Sequence, residues 1–248
     1  MTIPRVIAHR GSSAAHADNS WAAFKAAVTE GADAIECDVQ LTRDGALVVC
    51  HDLTLNGHLV RDLTAAAIEA AQPGTVKLSD LLRWATVTSI DVLVEIKEPE
   101  AALPAARMVG CFASHERVVV GGFHGPMLAA VKAAFPDVKT SFMVGSVLAA
   151  DELVLVATAY RVDGLHLCWE ARASRPHTLV DATLIDRLRR SDFAVTLWHE
   201  ERPDELRALV ELGPDAICTN TPAVLRRIVD ERRVARSAGA TADGVRHC

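Results

Sequence analysis

The chain lacks the features of a nucleic-acid-binding or membrane-spanning protein. It has 248 residues, a formal net charge of −6 and only 4% aromatic residues. An acidic balance argues against a nucleic-acid partner, because such domains are usually basic. No apolar run approaches the roughly 20 residues that a membrane-spanning helix needs, so we expect no stable membrane insertion. The oligomeric state is not indicated.

The N-terminal segment and the cysteines also exclude several classes. The first residues, MTIPRVIAHRG, enter a predicted strand at once and leave no room for a signal peptide. The six cysteines show no CxxC spacing, and four of them fall in strand-like runs where a buried thiol is usual: Cys37, Cys50, Cys168 and Cys218. We therefore expect a cytoplasmic, soluble, single-domain protein.

What the sequence does contain is a regular alternation of apolar runs and amphipathic stretches. The predicted strands cover residues 4–9, 33–38, 91–96, 117–121, 138–143, 162–167, 193–198 and 215–219. The helical stretches between them include residues 20–30, 125–134, 179–190 and 203–212. Eight strands with intervening helices predict an α/β fold, a (β/α)8 TIM barrel rather than an open doubly wound sheet. We predict a barrel domain over residues 1–230 and a disordered C-terminal tail over residues 231–248.

The stretch IECDVQLTRDGALVVCHD, residues 35–52, combines an apolar strand with charged residues. Glu36 and Asp38 are two residues apart, so they point to the same face of the strand. Burying them is costly unless they are paired or hold a metal. The dipeptide Asp44-Gly45 predicts a two-residue turn, and thus a β-hairpin extension after strand 2 that places His51 opposite Asp38.

Further polar residues fall at the ends of other predicted strands. His9 and Arg10 close the first strand, and Glu95 and Lys97 share one face at the end of the third. Strand carboxyl ends form the mouth of a TIM barrel, where active sites lie. Three carboxylates are thus predicted to converge there, and a cation would relieve their mutual repulsion. Oxygen ligands favour Mg²⁺ or Ca²⁺ over zinc.

The charges of this set suit a phosphodiester. One divalent cation together with Arg10 and Lys97 outweighs the three carboxylates by a single charge, which a phosphodiester anion would balance. His9 and His51 can supply a general acid and a general base near neutral pH. Three other interpretations are a barrel isomerase or aldolase with a metal-stabilised enolate, a non-catalytic phosphate-binding module, and plain structural ion pairs. The first two leave the paired histidines without a role.

At these residues the sequence resembles the glycerophosphodiester phosphodiesterase family, which has a phospholipase C-like barrel. The matching motifs are HRG at 9–11, IECDVQLTRDG at 35–45, VVCHD at 48–52 and VEIK at 94–97, with weaker matches at 118–123, 195–198 and 213–222. The resemblance implies one divalent cation and cleavage of a small-molecule glycerophosphodiester to glycerol 3-phosphate and an alcohol. A lysophospholipase D-type reaction at the same site is the alternative.

The resemblance also implies a role for each matched residue. It implies that His9 and His51 are the catalytic pair and that Arg10 and Lys97 bind the phosphate. It implies that the metal ligands are Glu36, Asp38 and Glu95. Trp169 and Trp198, at the ends of strands six and seven, are possible residues of the substrate pocket. His124 is a further possible pocket residue, and His124 and His166 are both candidates for the mouth.

The sequence departs from the family's pattern at two places near the mouth. Asp18 stands in the segment ADN where the family usually has Pro-Glu-Asn, which shortens one carboxylate by a methylene. The segment LWHEERP replaces the usual Trp-Thr-Val-Asn after strand seven, so we expect His199, Glu200 and Glu201 near the mouth. These differences leave the identity of the alcohol leaving group open.

Overall fold

Eight parallel strands close into a barrel with helices packed outside it, which confirms the predicted (β/α)8 TIM fold. The computed structural model describes residues 2–112 and 115–244. The strands are β1 (Arg5–Ala8), β2 (Ala34–Leu41), β3 (Leu47–Val49), β4 (Thr54–Leu55), β5 (His58–Leu59), β6 (Asp91–Ile96), β7 (Val118–Gly122), β8 (Lys139–Val144), β9 (Gly164–Cys168), β10 (Ala194–Trp198) and β11 (Ala216–Thr219). The barrel order is β1-β2-β6-β7-β8-β9-β10-β11, and β11 pairs back with β1.

Helices follow the barrel strands and bury their apolar faces against the outside of the barrel. In the described residues they are α1 (Trp21–Thr29), α2 (Ala65–Ala71), α3 (Leu78–Thr88), α4 (Ala102–Cys111), α5 (Gly125–Ala134), α6 (Ala150–Tyr160), α7 (Ala182–Arg189), α8 (Pro203–Leu212) and α9 (Pro222–Gly244). The side chains of Ser20, Thr64 and Asp181 begin α1, α2 and α7 by accepting a hydrogen bond from a backbone N–H. None of these helices combines the length and apolar character needed to cross a membrane.

The β2–β3 hairpin extends one side of the barrel beyond its rim. Val39 pairs with Val49 in antiparallel register, and the Thr42 N–H donates to the Ala46 carbonyl over 2.9 Å. The turn therefore has three residues, 43–45, and not the predicted two. Gly45 adopts a φ of 81°, the left-handed conformation that a three-residue hairpin turn needs at its last position.

The longer turn changes which residues face each other across the hairpin. The Thr42 hydroxyl donates to the Asp44 carboxylate over 2.6 Å and thereby supports the wider turn. As a result Asp38 lies opposite Cys50, whose N–H donates to the Asp38 carbonyl over 2.9 Å. The predicted pairing of Asp38 with His51 is wrong by one residue. His51 comes just after the hairpin, in a bend.

The C-terminal segment differs from the prediction of a disordered tail. Helix α9 runs without a break from Pro222 to Gly244, so residues 231–244 are helical. Its first turns are anchored because Leu225, Ile228 and Val229 are buried. The Ala- and Arg-rich sequence that follows has a high helix propensity, which lets the helix continue. Residues 245–248 lie outside the described part of the chain, and the domain boundary at residue 230 stays a prediction.

Candidate active site

Three buried carboxylates from two neighbouring strands meet at the carboxyl end of the barrel. Glu36 and Asp38 lie on β2, Glu95 lies on β6, and Asp38 is in register beside Glu95. One oxygen of each carboxylate lies within 4.8 Å of the other two. The three side chains are at most 1% exposed. The alternation of residues along the two strands thus places the predicted metal ligands in one cluster, which we call the acidic cluster.

The acidic cluster contains oxygens that no described protein group satisfies. Glu36 Oε1 and Glu95 Oε2 are buried without a hydrogen-bond partner among the described residues. Burial, followed by the charges of Asp38 and Glu95, raises the pKa of Glu36 well above its usual range. Burial and then Asp38 also raise the pKa of Glu95, against the opposing effect of Lys97. A divalent cation would supply the missing partner, and an all-oxygen donor set suits Mg²⁺ or Ca²⁺.

Two cationic side chains border the acidic cluster. Arg10 Nε lies 3.1 Å from Asp38 Oδ2, and its backbone N–H donates to Glu36 Oε2 over 2.9 Å. Lys97 Nζ donates to Glu95 Oε1 over 2.7 Å and lies 3.3 Å from Asp38 Oδ1. These are the contacts of ion pairs. They also place two positive charges beside the cluster, where the sequence predicts phosphate contacts.

The HRG motif at the end of β1 makes a sharp turn that directs a backbone N–H at the cluster. Arg10 and Gly11 have φ values of 57° and 84°. A Cβ atom at Gly11 would lie only 2.6 Å from the backbone carbon of Ala23, so glycine is the residue that fits. The tight contact between this turn and α1 holds the Arg10 N–H against Glu36.

Asn19 is a residue of the site that the sequence analysis did not identify as one. Its Nδ2 donates to Asp38 Oδ2 over 2.8 Å, and its Oδ1 accepts from the Asp38 N–H over 3.2 Å. Asn19 is buried with a φ of 54°, and Asp18 beside it forms an ion pair with Arg10 over 3.0 Å. Ser20, and not Asn19, caps α1. Asn19 instead orients the Asp38 carboxylate.

His9 lies at the edge of the acidic cluster with one ring nitrogen free. It is 4% exposed, and its Nε2 lies 3.9 Å from Glu36 Oε2 without a hydrogen-bond partner among the described residues. Burial, and then the charges of His199 and Arg10, lower the pKa of His9 to about 2. His9 is therefore neutral at physiological pH.

Asn220 fixes which nitrogen of His9 carries the proton. His9 Nδ1 lies 2.6 Å from Asn220 Oδ1, which also accepts from the Ser13 hydroxyl over 2.8 Å. The other end of the amide, Nδ2, donates to the Glu201 carboxylate. An amide oxygen only accepts hydrogen bonds, so Nδ1 of His9 carries the proton and Nε2 has a free lone pair. Asn220 immediately follows β11, and its position at a strand end was the signal available in the sequence.

His51 is held beside this site by the bend that follows the hairpin. Its Nδ1 donates to Asp52 Oδ1 over 2.9 Å, and its side chain is 38% exposed. Buried Gln40 donates through Nε2 to the carbonyls of Cys50 and Asp52 over 2.8 and 2.7 Å, which fixes the bend. His51 is close enough to lower the pKa of His9 by its charge. Gln40 continues the alternation of Glu36 and Asp38 along β2, which is the sequence signal for its inward position.

The segment after β10 supplies residues next to His9. His199 stacks on His9 with ring centroids 4.5 Å apart, and Glu201 Oε1 lies 3.7 Å from His199 Nε2. Glu200 differs, because Arg202 forms a two-pronged ion pair with it over 2.6 and 2.9 Å. Burial raises the pKa of Glu200, but the hydrogen bonds from Arg202 outweigh it and the net shift is downward. Glu200 therefore fixes the loop, whereas His199 and Glu201 contact the His9 network.

Of the three predicted pocket residues, Trp198 lies at the mouth, whereas Trp169 and His124 bond to the backbone of neighbouring segments. Trp198 makes an edge-on contact with His9 at 5.2 Å and a tilted contact with Phe123 at 5.8 Å, between ring centroids. Trp169 is 2% exposed and its indole N–H donates to the Ser146 carbonyl over 3.0 Å, so it packs mainly in the core. His124 caps α5, because its Nδ1 accepts from a backbone N–H over 3.2 Å.

His166 does not lie at the mouth. It occupies the middle of β9, points into the barrel and is 3% exposed. The last inward-facing residue of that strand is Cys168, two positions later, so His166 stands one layer below the mouth. The sequence motif alone did not show how far along the strand His166 lies.

Known proteins are similar to this chain in sequence and in fold. The model of the glycerophosphoryl diester phosphodiesterase family matches residues 9–224. The chain is 28% identical over 249 residues to a glycerophosphodiester phosphodiesterase of Caldanaerobacter subterraneus, with 90% of this chain and 97% of that protein covered. The matched range contains both histidines, the acidic cluster and its two neighbouring cations.

Two solved structures show the same fold at lower identity. A glycerophosphodiester phosphodiesterase from Parabacteroides distasonis has a TM-score of 0.78 at 23% identity, with 94% of this chain and 99% of that chain covered. An Oleispira antarctica phosphodiesterase in complex with the product sn-glycerol-3-phosphate has a TM-score of 0.78 at 20% identity, with 92% and 97% covered. At these identities the structures support the fold alone. The family match carries the classification: the chain belongs to the glycerophosphoryl diester phosphodiesterase family and is a phosphoric diester hydrolase.

Proposed function

We propose that this protein hydrolyses small glycerophosphodiesters to glycerol 3-phosphate and an alcohol with the help of one divalent cation. The observation that carries this proposal is the acidic cluster, in which Glu36, Asp38 and Glu95 offer oxygens within 4.8 Å of one another. Glu36 Oε1 and Glu95 Oε2 have no hydrogen-bond partner among the described residues, and the neutral His9 stands 3.9 Å from Glu36. The product in the Oleispira antarctica structure is sn-glycerol-3-phosphate, which is consistent with this substrate class.

The cation, Mg²⁺ or Ca²⁺, would be held by Glu36, Asp38 and Glu95. When bound, it supplies Lewis acidity that polarises a phosphoryl oxygen. Asn19 would keep the Asp38 carboxylate in place through its two hydrogen bonds. Arg10 and Lys97, whose side chains are 19% and 16% exposed, would contact the phosphate from the mouth. The Arg10 and Lys97 side chains are already held beside the acidic cluster, so they need little further ordering when the phosphate binds.

We assign His9 as the general base and His51 as the general acid. The free lone pair on His9 Nε2 faces the acidic cluster, where it can take a proton from the attacking water or hydroxyl group. His51 is half-exposed on a bend, with Asp52 holding its Nδ1 proton, so Nε2 is left to pass a proton to the departing alcohol. In-line displacement requires the base and the acid on opposite sides of the phosphorus.

The test is the release of glycerol 3-phosphate from glycerophosphocholine by the full chain, with and without EDTA. We expect activity that EDTA removes and that Mg²⁺ or Ca²⁺ restores. As a control, Glu116→Gln removes an exposed carboxylate far from the acidic cluster and should respond to EDTA as the wild type does. Full activity in the presence of EDTA would refute the requirement for a divalent cation. Absence of glycerol 3-phosphate with every added cation would refute the proposed substrate class.

A lysophospholipid is the second candidate substrate, and one observation favours it. Three large apolar side chains on loops at the carboxyl end of the barrel are exposed: Leu53 by 45%, Phe123 by 48% and Val147 by 48%. They would contact an acyl chain. We expect Phe123→Ser to reduce hydrolysis of lysophosphatidylcholine more than that of glycerophosphocholine, whereas Val87→Ser, on α3 away from the mouth, should affect neither. Equal effects of Phe123→Ser on both substrates would exclude an acyl chain at this position.

A further inference from the structure

The barrel contains a cavity at its amino-terminal end, opposite the acidic cluster. Its volume is about 230 Å³, and it opens among the first residues of the strands. TIM barrels usually fill this space with bulky branched side chains. Here four lining residues are small: Ala34, Gly164, Ala194 and Ala216. The cavity is thus a result of the sequence at inward-facing positions, and it is larger than the engineered cavity of about 150 Å³ that binds benzene in another protein.

A layer of side chains separates this cavity from the active site. Glu36 lies two residues beyond Ala34 on β2, and Glu95 lies two residues beyond Leu93 on β6, with Ala34 and Leu93 both lining the cavity. Two residues along a strand span about 7 Å. Buried Met143 is among the residues that close the space between the two levels. The cavity and the acidic cluster are therefore separate sites.

One polar group in the cavity wall has no partner. His166 Nδ1 is hydrogen-bonded to the Ser141 hydroxyl over 2.6 Å. His166 Nε2 is buried and has no hydrogen-bond partner among the described residues. Burial lowers the pKa of His166 to about 3, so the ring is neutral at physiological pH. A buried nitrogen without a partner is costly, and His166 lines the cavity.

Most of the charged groups at the cavity entrance are already engaged in ion pairs, and the Lys139 ammonium donates to the Glu116 backbone carbonyl over 3.0 Å. Arg5 and Arg117 share Asp91 over 2.6 and 2.7 Å. Two other lining carboxylates are paired with cations outside the cavity, Asp163 with Lys132 over 2.9 Å and Asp215 with Arg189 over 2.8 Å. These pairs neutralise the three lining aspartates, so none of them needs a cationic ligand. What the cavity lacks is a partner for one neutral imidazole nitrogen, between aliphatic walls that include Ile7, Leu93 and Val119.

We propose that this cavity is a second binding site, for a small uncharged molecule with an apolar body and one hydroxyl or carbonyl group that bonds to His166. The apolar body contacts the aliphatic wall, and the hydroxyl or carbonyl group satisfies Nε2. Thr196, which pairs with His166 across β9 and β10, adds a hydroxyl to the same wall. The site does not depend on the proposed phosphodiesterase reaction.

The test uses benzyl alcohol and toluene as probes on the full chain, with binding followed by NMR of the methyl groups and the His166 ring. We expect benzyl alcohol to shift the resonances of Val119, Leu93 and His166 saturably. One hydrogen bond favours benzyl alcohol over toluene by roughly three- to tenfold. That preference should disappear in His166→Leu. Ala216→Leu, which fills the cavity, should abolish binding of both probes, while Ala133→Leu on the exposed face of α5 should not.

Several results would overturn the proposal. Absence of saturable binding in the millimolar range would show a cavity that holds only water. Equal preference for benzyl alcohol in the wild type and in His166→Leu would remove the role of His166. Should either variant fail to fold, the wild type decides: intermolecular NOEs between the probe ring and the Val119 methyl groups support the site, and NOEs only to surface residues refute it.

Discussion

At the amino end of β6, Asp91 is shared by the guanidinium groups of Arg5 and Arg117, whereas at the carboxyl end of the same strand Glu95 has an oxygen without a described partner. The two ends of this six-residue strand thus differ: the carboxylate at the amino end is paired with two cationic side chains, and the buried carboxylates at the carboxyl end outnumber the cationic side chains beside them. Ion pairs at a rim stabilise a fold modestly. Buried carboxylates in excess destabilise it unless something else is bound. We therefore propose that the carboxyl end is the functional one, and the predictions below test this difference.

The largest expected effect distinguishes the histidines of the two ends. His51→Ala should lower turnover of glycerophosphocholine by about 10²- to 10⁴-fold while cation affinity is retained, because a general acid contributes that much. His166→Leu, at the opposite end, should keep turnover within about twofold. Steady-state kinetics and calorimetric cation titrations measure both. Loss of cation binding with an unchanged intrinsic rate in His51→Ala would make His51 a metal ligand instead.

The roles that we propose for His9 and His51 can be separated by the leaving group. A p-nitrophenolate departs without a proton, so this substrate should restore much of the activity of His51→Ala. It should not restore that of His9→Ala, because the base is still needed for the nucleophile. Equal restoration of both variants, or restoration of His9→Ala alone, would reverse or remove the assignment.

The two carboxylates of β6 give a comparison within one strand. Glu95→Gln should weaken cation binding and lower activity by about 10²-fold or more, yet preserve or raise the stability of the EDTA-treated protein by relieving repulsion. Asp91→Asn should keep activity but lower the free energy of unfolding by roughly 1 kcal/mol, because the ion pairs that it breaks are partly exposed. Urea unfolding in EDTA and activity assays measure both effects. Similar stability losses in the two variants would contradict the comparison.

Substitution of Gln40 should lower kcat less than substitution of His9 or His51. Gln40→Leu removes both hydrogen bonds to the bend that carries His51, and we expect about a tenfold loss of kcat with unchanged cation affinity, because the acid is then misplaced. Gln72→Leu, an exposed glutamine at the end of α2, is the matched control and should be active. An unaffected Gln40→Leu variant would show that Asp52 alone positions His51.

The smallest expected effect is on thermal stability as a function of pH. The pKa values of Glu36 and Glu95 are raised in the folded protein, so without a cation the folded state holds protons that the unfolded state has released. The contribution of Glu36 and Glu95 to the free energy of unfolding is complete below the ordinary carboxyl pKa of about 4.5, and it is lost as pH rises through their raised pKa values. The melting temperature in EDTA should therefore fall by a few degrees from pH 5 to pH 8, and added Mg²⁺ or Ca²⁺ should reverse the fall. A cation-independent melting temperature at pH 8 would argue against the metal site.

The sequence predicts those parts of the molecule that depend on local periodicity. Alternation along the chain is sufficient to find eight strands, and with the TIM-barrel rule it predicts that Glu36 and Glu95 meet at the mouth. The contacts of Asn220 with His9 and of Asn19 with Asp38 join residues that no periodic pattern links. The cavity beside His166 was not predicted either, because it depends on which small residues of several strands share one layer.

Register and burial were the properties that local signals predicted wrongly. The Asp44-Gly45 dipeptide indicates a tight turn, but the Thr42 side chain supports a turn one residue longer. Trp169 follows β9 at the mouth, yet its indole turns into the core, where it satisfies a backbone carbonyl. Both errors come from side-chain contacts that decide between two locally acceptable conformations.

The three-residue turn at residues 43–45 acts as a spacer of fixed length for the active site. Successive residues of a strand point to opposite faces, so one residue added to or removed from the turn would shift the β2–β3 pairing and turn the segment before His51 to its other face. The residue types in the turn are free to vary as long as Gly45 or another residue tolerates positive φ. Chain length at an exposed loop thus controls where His51 stands.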